Sequence, residues 1–324
     1  MNLEYPITFF PILKERIWGG DKLITIFNKE SDKSNIGESW ELSDVDGDVS
    51  VVASGPLQGK SLKELINEYK GALIGEKVYK AFGNNFPILI KYIDAKTPLS
   101  IQVHPSNELA RTRHNSFGKN EMWYIMQADE DAELIIGFNQ NIDKATYLSK
   151  LEEGKVLEIL NSEKIVQGDT FYIPTGRVHA IGAGVMLAEI QQTSDITYRI
   201  YDYNRVDITT GKERELHTEL AVDAIDYKRY DSYKTSYKLK KNESSELVYS
   251  PYFKTNIIQL EGQITKNYSD LDSFVIYMCV EGHVDVICNK KPFPLKAGQT
   301  MLLPASINQI ELKSENAKIL EVFL

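Results

Sequence analysis

Four side chains in this sequence have the types and spacing to hold one divalent metal ion. Gln102 and His104 stand two residues apart in Gln102-Val103-His104-Pro105, and Glu121 follows them. His179 closes the segment Gly168-Asp169-Thr170-Phe171-Tyr172-Ile173-Pro174-Thr175-Gly176-Arg177-Val178-His179. Together they offer two imidazoles, a carboxylate and a carboxamide oxygen. Zn2+ accepts such nitrogen and oxygen donors, and a catalytic site keeps one position open for water or substrate. A lone histidine in a turn is more often structural than a ligand, and glutamine is an uncommon ligand. The joint occurrence is what carries the metal reading. His114, His217 and His283 lack such company and read as structural or surface residues.

Arg199, in Thr197-Tyr198-Arg199-Ile200-Tyr201-Asp202-Tyr203, can meet a phosphate or an enediolate oxygen with two parallel hydrogen bonds. A salt bridge to Asp195 or Asp202 is the blander expectation. Lys91, Ser100 and Lys119 could add donors. Ser100 lies two residues before Gln102, and Lys119 two before Glu121, so period two sets each beside a ligand.

Strands must position these groups. Leu99 to Val103 reads as one, with Ser100 and Gln102 on the same face and His104 continuing it. Polar groups on an inward face need partners. Phe86 to Ile93, Glu121 to Met126, Glu133 to Gly137, Val166 to Ile173 and Val185 to Gln191 read as further strands, and Tyr198 to Tyr203 as a short aromatic one. Ser61 with Glu64 makes a capping box, followed by Leu62, Leu65, Ile66 and Tyr69 at helical spacing. Gly71 interrupts, and a second short helix runs through Val78 and Phe82. Residues 142–159 and 215–225 also read as helical. From about residue 235 short β runs return. Gly168-x5-Pro174 recurs as Gly298-x5-Pro304, which suggests two units on one plan, the second with Ser306 and Gln309 where the first has Gly176 and His179. The expected fold is mainly β: two jelly-roll-like β-barrel units with a few helices. The first spans 1–233, with helical insertions at 61–82 and 142–160. The second spans 234–324 and lacks the metal ligands.

The chain has 324 residues, a 42% apolar fraction and a net charge of −9. It can build a proper core, and its acidity argues against a nucleic-acid partner. A few local cations can still hold one phosphate. Neither a signal peptide nor a membrane span is visible. Cys279 and Cys288 form no disulfide framework and no metal knuckle, and read as buried thiols. A cytoplasmic protein is expected.

Several segments together resemble the type I phosphomannose isomerase family. They are Trp18-Gly19-Gly20, Gly37-Glu38-Ser39-Trp40, Leu99 to Pro105, Asn120-Glu121-Met122-Trp123-Tyr124, Gly176 to Gly182, and Gln191 to Tyr203. They run in order over nearly the whole chain, and the combination is specific although each alone is weak. The Gly168 to His179 spacing is similar to the second cupin motif. Ala183 departs from the asparagine usual at that motif's end, and Gln102-x-His104 replaces the first motif's His-x-His. The chain resembles the short bacterial form, with no room for an extra helical domain.

The resemblance implies one Zn2+ bound by Gln102, His104, Glu121 and His179, with Arg199 catalytic. It implies a small phosphosugar substrate: mannose 6-phosphate, converted reversibly to fructose 6-phosphate through a cis-enediol. That chemistry needs a base for a carbon acid and an electrophile for the developing oxyanion. Arg199 is too weak an acid to serve readily as the base. Lys119 with a depressed pKa and a metal-bound water are the candidates, with Glu38 a weaker one that could instead orient the site. Lys91 and Ser100 could bind the phosphate. The competing readings are another metal-dependent cupin enzyme of the dioxygenase kind, which Gln102 argues against, and a non-catalytic sugar-binding cupin. The oligomeric state is not legible.

Overall fold

The computed structural model describes residues 3–207 and 210–324. Two antiparallel sheets face each other across the first part of the chain. The larger contains six strands in the order Ile12–Gly20, Ile36–Leu42, Ile88–Ala95, Val185–Gln192, Glu121–Ala128, Thr170–Ile173. The smaller contains five, in the order Tyr198–Tyr201, Ile101–Val103, His179–Ile181, Glu133–Phe138, Leu160–Lys164.

Alternation of side chains sorts each strand's residues between layers. On the six-stranded sheet Ile88, Ile90 and Tyr92 join Met122, Tyr124, Ala188 and Ile190 on the outer face. Leu62, Leu65, Ile66, Leu73 and Val78 cover that face, together with residues of the C-terminal part such as Leu247, Phe274 and Leu320. Ile93, Trp123, Ile125 and Leu187 point inward, where they meet Leu134, Ile136 and Ile181 of the five-stranded sheet. The far side of the smaller sheet packs Ile101, Val103, Ala180 and Tyr198 against Tyr147, Ala221 and Val222. Gln102, His179 and Arg199 alternate with those apolar residues and therefore turn inward.

The capping box at Ser61 and Glu64 is present: each backbone N–H donates to the other's side chain. The helix Leu62–Tyr69 ends at Lys70 (φ 48°), and Gly71–Ile74 and Glu76–Phe82 follow as separate short helices. The expected helix at 142–159 is instead Lys144–Glu152 and a 3-10 turn Val156–Ile159. Gly154, at φ 68°, divides them. The expected strand 166–173 shortens to Thr170–Ile173 because Gly168 turns at φ 92°. His283 lies within the long strand Val275–Cys288.

The C-terminal part builds a third antiparallel sheet from Ser244–Tyr249, Lys254–Asn267, Gln309–Phe323, Val275–Cys288 and Lys291–Lys296, with Thr300–Leu303 on Val275–Cys288. The two Gly-x5-Pro segments have matching hydrogen bonds. The Gly168 N–H donates to Ile125 O as that of Gly298 does to Cys279 O, and Ile125 N–H donates to Asp169 O as that of Cys279 does to Gln299 O. The expected closed barrels are not found. Thr170–Ile173 and Ile12–Gly20, at the two edges of the six-stranded sheet, do not pair with the five-stranded one. No helix among the described residues is long and apolar enough to cross a membrane.

Candidate active site

Strand register brings the predicted residues together. Across the five-stranded sheet Arg199 lies opposite Gln102, and Gln102 opposite His179. On the facing sheet a second row runs Trp40, Lys91, Glu189, Trp123, Phe171. Glu121 starts its strand opposite Gln191 and Ile173. His104 follows the end of Ile101–Val103. The turn holding Gly176 (φ 86°) docks on it, with Gly176 N–H donating to His104 O at 3.0 Å.

His104, Glu121 and His179 form a buried cluster whose ligand atoms all lie within 4.8 Å of one another. His104 Nδ1 donates to Ile196 O (3.0 Å) and His179 Nδ1 to Arg177 O (2.8 Å). That assignment, fixed by the two carbonyls, leaves both Nε2 lone pairs facing inward. Each Nε2 lies 3.4 Å from an oxygen of Glu121. Burial holds the His104 pKa well below the usual histidine value, and the neighbouring Lys119 and His179 push the same way. Burial also lowers that of His179, against the opposing pull of Glu121. Both imidazoles are thus neutral and ready to ligate.

His104 Nε2 and both Glu121 oxygens are buried without a hydrogen-bond partner. Two lone pairs aimed at one carboxylate inside a protein are costly unless a cation sits among them. The donor set therefore fits a divalent metal. Gln102 reaches the same point: its carboxamide Nε2 lies 3.2 Å from His179 Nε2. The second nitrogen of each histidine is held by a carbonyl, as metal-binding imidazoles require.

A cavity of about 560 Å3 adjoins the cluster, and Glu38, Lys91, Ser100, Gln102, Lys119 and Arg199 all line it. Lys119 precedes its neighbouring strand, which begins at Glu121, yet its ammonium lies 3.7 Å from Glu121 Oε2. Ser100 falls just before the strand Ile101–Val103 and still faces the cavity. Lys91 lines the cavity with its charge already paired. Its Nζ lies 2.9 Å from Glu189 Oε1, with both side chains buried, and it packs over the Trp40 ring. Burial opposes its charge, but Glu189 and Glu38 outweigh that and raise its pKa. Glu38 accepts from Arg16 and from the Trp40 indole, each at 2.8 Å. Burial alone would raise its pKa, but the charges of Lys91 and Arg16 and the indole bond lower it to about 2.

The expected bridge from Arg199 to Asp195 or Asp202 is absent. Asp202 is held instead by Arg205 and by Arg214, whose Nε and Nη2 donate at 2.7 Å. Arg199 Nη1 donates to Glu215 O (2.7 Å), and its Nε is buried without a partner. Lys14, Arg16, Lys91, Lys119 and Arg214 of the cavity wall each have a carboxylate partner. Arg199 makes no ion pair with the described residues, so its charge is available to something that enters.

The family model described as "Phosphomannose isomerase type I, catalytic domain" matches residues 8–141, and the one described as "Mannose-6-phosphate isomerase, cupin domain" matches residues 243–324. The mannose-6-phosphate isomerase ManA of Bacillus subtilis strain 168 is 35% identical over 311 residues, covering 95% of this chain and 96% of that protein. This chain belongs to the type I phosphomannose isomerase family. A second member, the mannose-6-phosphate isomerase of Streptococcus mutans serotype c, is 33% identical over 91% of each chain. The crystal structure of the mannose 6-phosphate isomerase from Bacillus subtilis superposes with a TM-score of 0.89 at 34% identity, over 98% of this chain and 99% of that one.

The phosphomannose isomerase segments have physical reasons in the structure. A Cβ on Gly19 would lie 2.3 Å from Asn35 O, and one on Gly37 would lie 2.5 Å from the Trp18 ring. Only glycine lets these two strands approach closely enough to bring Arg16 onto Glu38. The sequence reading missed Glu189, Arg16 and Arg214. A usable signal existed for the first. Glu189 is the single charge in Val185–Gln192, a strand buried throughout, and Lys91 is the single cation in Ile88–Ala95, which also carries Asp94. A buried cation and a buried carboxylate each need an opposite partner.

Proposed function

We propose that this chain interconverts D-mannose 6-phosphate and D-fructose 6-phosphate by moving a proton between C2 and C1 through a cis-enediol. One observation carries the reading. A buried cluster of His104, Glu121 and His179 adjoins a cavity lined by Arg199, which makes no ion pair with the described residues, in a family whose members are named for this isomerisation.

Zn2+ would be held by Gln102 through its carboxamide oxygen, by His104, by Glu121 and by His179. When bound, the ion supplies Lewis-acid polarisation of the substrate oxygens. Arg199 stabilises charge that develops on the enediolate or resides on the phosphate, through a guanidinium that stays protonated even though burial lowers its pKa. Lys119 is the favoured base, because it is buried, lines the cavity and lies beside the ligand cluster. Glu38 is not: a carboxylate with a pKa of about 2 is a poor acceptor for a carbon-bound proton. It orients Arg16 and Trp40 instead. Lys91 and Ser100 would contact the phosphate, Lys91 with its charge tempered by Glu189.

The 234–324 segment is, in this reading, a degenerate second cupin. Strand pairing sets Val275 opposite Leu303, as Glu121 is set opposite Ile173, so an apolar residue takes the place of the carboxylate ligand. Gln309 stands at the offset of His179. An assay coupling fructose 6-phosphate formation from mannose 6-phosphate to a colour reaction tests the proposal, and absence of turnover with Zn2+ supplied would overturn it.

A further inference from the structure

We propose that Asn120 is a positioning residue that fixes the metal-ligand geometry from behind, by joining the segments that carry Glu121, His179 and His104. The inference rests on the reading of those residues as ligands.

Asn120 sits between Lys119 and Glu121 and is 3% exposed. Its side chain binds away from the cluster its neighbours approach. Its Nδ2 donates to Gln192 Oε1 (2.7 Å), and its backbone N–H donates to the same oxygen (3.0 Å). Gln192 N–H returns a bond to Asn120 O (3.0 Å), so the two residues are clamped by three hydrogen bonds. Asn120 Oδ1 accepts from Thr175 N–H (3.1 Å) and from Tyr172 O–H (3.3 Å). Thr175 precedes Gly176, whose N–H holds His104 O, and lies four residues before His179.

The chain of contacts extends one step further. Gln192 Nε2 donates to Asn107 Oδ1 (3.3 Å), which also accepts from Gly118 N–H (2.8 Å). Asn107 opens the helix that follows His104 and Pro105. One buried carboxamide thus ties the start of the Glu121 strand to the turn before His179, and through Gln192 to the segment after His104. Buried polar groups joined this densely hold a single arrangement, because each broken bond strands a partner in the interior.

Removing the side chain leaves Thr175 N–H without its partner and Gln192 Oε1 with one donor fewer. The three ligands then lose a common reference. Outer contacts of this kind typically change metal affinity by about 10–100-fold when removed.

The experiment measures the Zn2+ dissociation constant of metal-stripped protein by competition with a chromophoric chelator, alongside kcat, KM and Tm. Asn120→Ala is expected to weaken Zn2+ binding by about 10–100-fold and to lower kcat more than it changes KM. Asn139→Ala is the control. Asn139 also bonds two carbonyls, Glu158 O and Leu160 O, but far along the chain from the ligands. It is expected to lower Tm while leaving Zn2+ affinity unchanged. If Asn120→Ala lowers Tm but binds Zn2+ as wild type does, Asn120 is merely structural and the proposal fails. Should Asn120→Ala not fold, Gln192→Ala carries the same comparison, because it removes the oxygen that both Asn120 donors reach. Wild-type protein that binds Zn2+ without isomerising mannose 6-phosphate would overturn the functional reading, while the affinity comparison would still decide the role of Asn120. Wild-type protein without Zn2+ affinity overturns both.

Discussion

Gln102 and His179 face each other across adjacent strands, with the carboxamide 3.2 Å from the imidazole Nε2. The pairing places a carboxamide beside the most deeply buried member of the His104, Glu121 and His179 cluster. Arg199 continues the row on Gln102's other side. Gln102 therefore stands between His179 and Arg199 on the middle one of three adjacent strands, and small shifts of that strand should register in turnover.

Arg199→Lys keeps the charge and loses the planar fork. A guanidinium without an ion pair among the described residues is the group best placed for a substrate oxyanion, so kcat/KM should fall on the order of 100-fold, the usual cost of losing one aimed donor. Steady-state kinetics on mannose 6-phosphate measure it, and near wild-type turnover would show that the fork is unimportant.

Lys119→Met separates base from binder. As the base, Lys119 should account for about 100- to 10,000-fold in kcat with little change in KM. A change confined to KM would remove it from the proton transfer.

Glu189→Gln should destabilise the fold by up to about 3–5 kcal/mol, because buried Lys91 would lose the carboxylate it bonds and keep only the weaker pull of Glu38 and Glu121. Replacing both partners, with Lys91→Met and Glu189→Leu together, should recover most of that loss. Chemical denaturation of the metal-free protein gives both values, and equal losses for the single and double variants would contradict the pairing.

The histidines predict a pH dependence of stability. Both folded pKa values lie below the unfolded value of 6.5, His104 by much the more. The unfolded chain therefore takes up protons first as pH falls. Stability of the metal-stripped protein should decline below about pH 6.5, by up to about 1.4 kcal/mol per pH unit for each histidine, until the folded pKa is reached. A Tm that holds constant from pH 7 to 5.5 would place the imidazoles in a different environment.

What could be read from the sequence was local. Period two places Gln102 beside His104 and turns them apart from Ile101 and Val103, and the capping box at Ser61 and Glu64 announces a helix start. The Lys91–Glu189 pair was not read, because it depends on the register of two strands whose partners are 98 residues apart. For the same reason Arg199 was weighed against its near neighbours Asp195 and Asp202, whereas Asp202 belongs to Arg205 and Arg214. Open sheets in place of closed barrels likewise follow from which edges pair, and no local pattern encodes that.

The central claim is that one metal ion in the cluster of Gln102, His104, Glu121 and His179 makes this chain a mannose-6-phosphate isomerase. The direct measurement is isomerase activity and bound metal on the same sample before exhaustive chelation, after it, and after titration with Zn2+. The account predicts that activity is lost with the metal and returns in proportion to Zn2+ up to one ion per chain. Full activity in protein shown to be metal-free would contradict it.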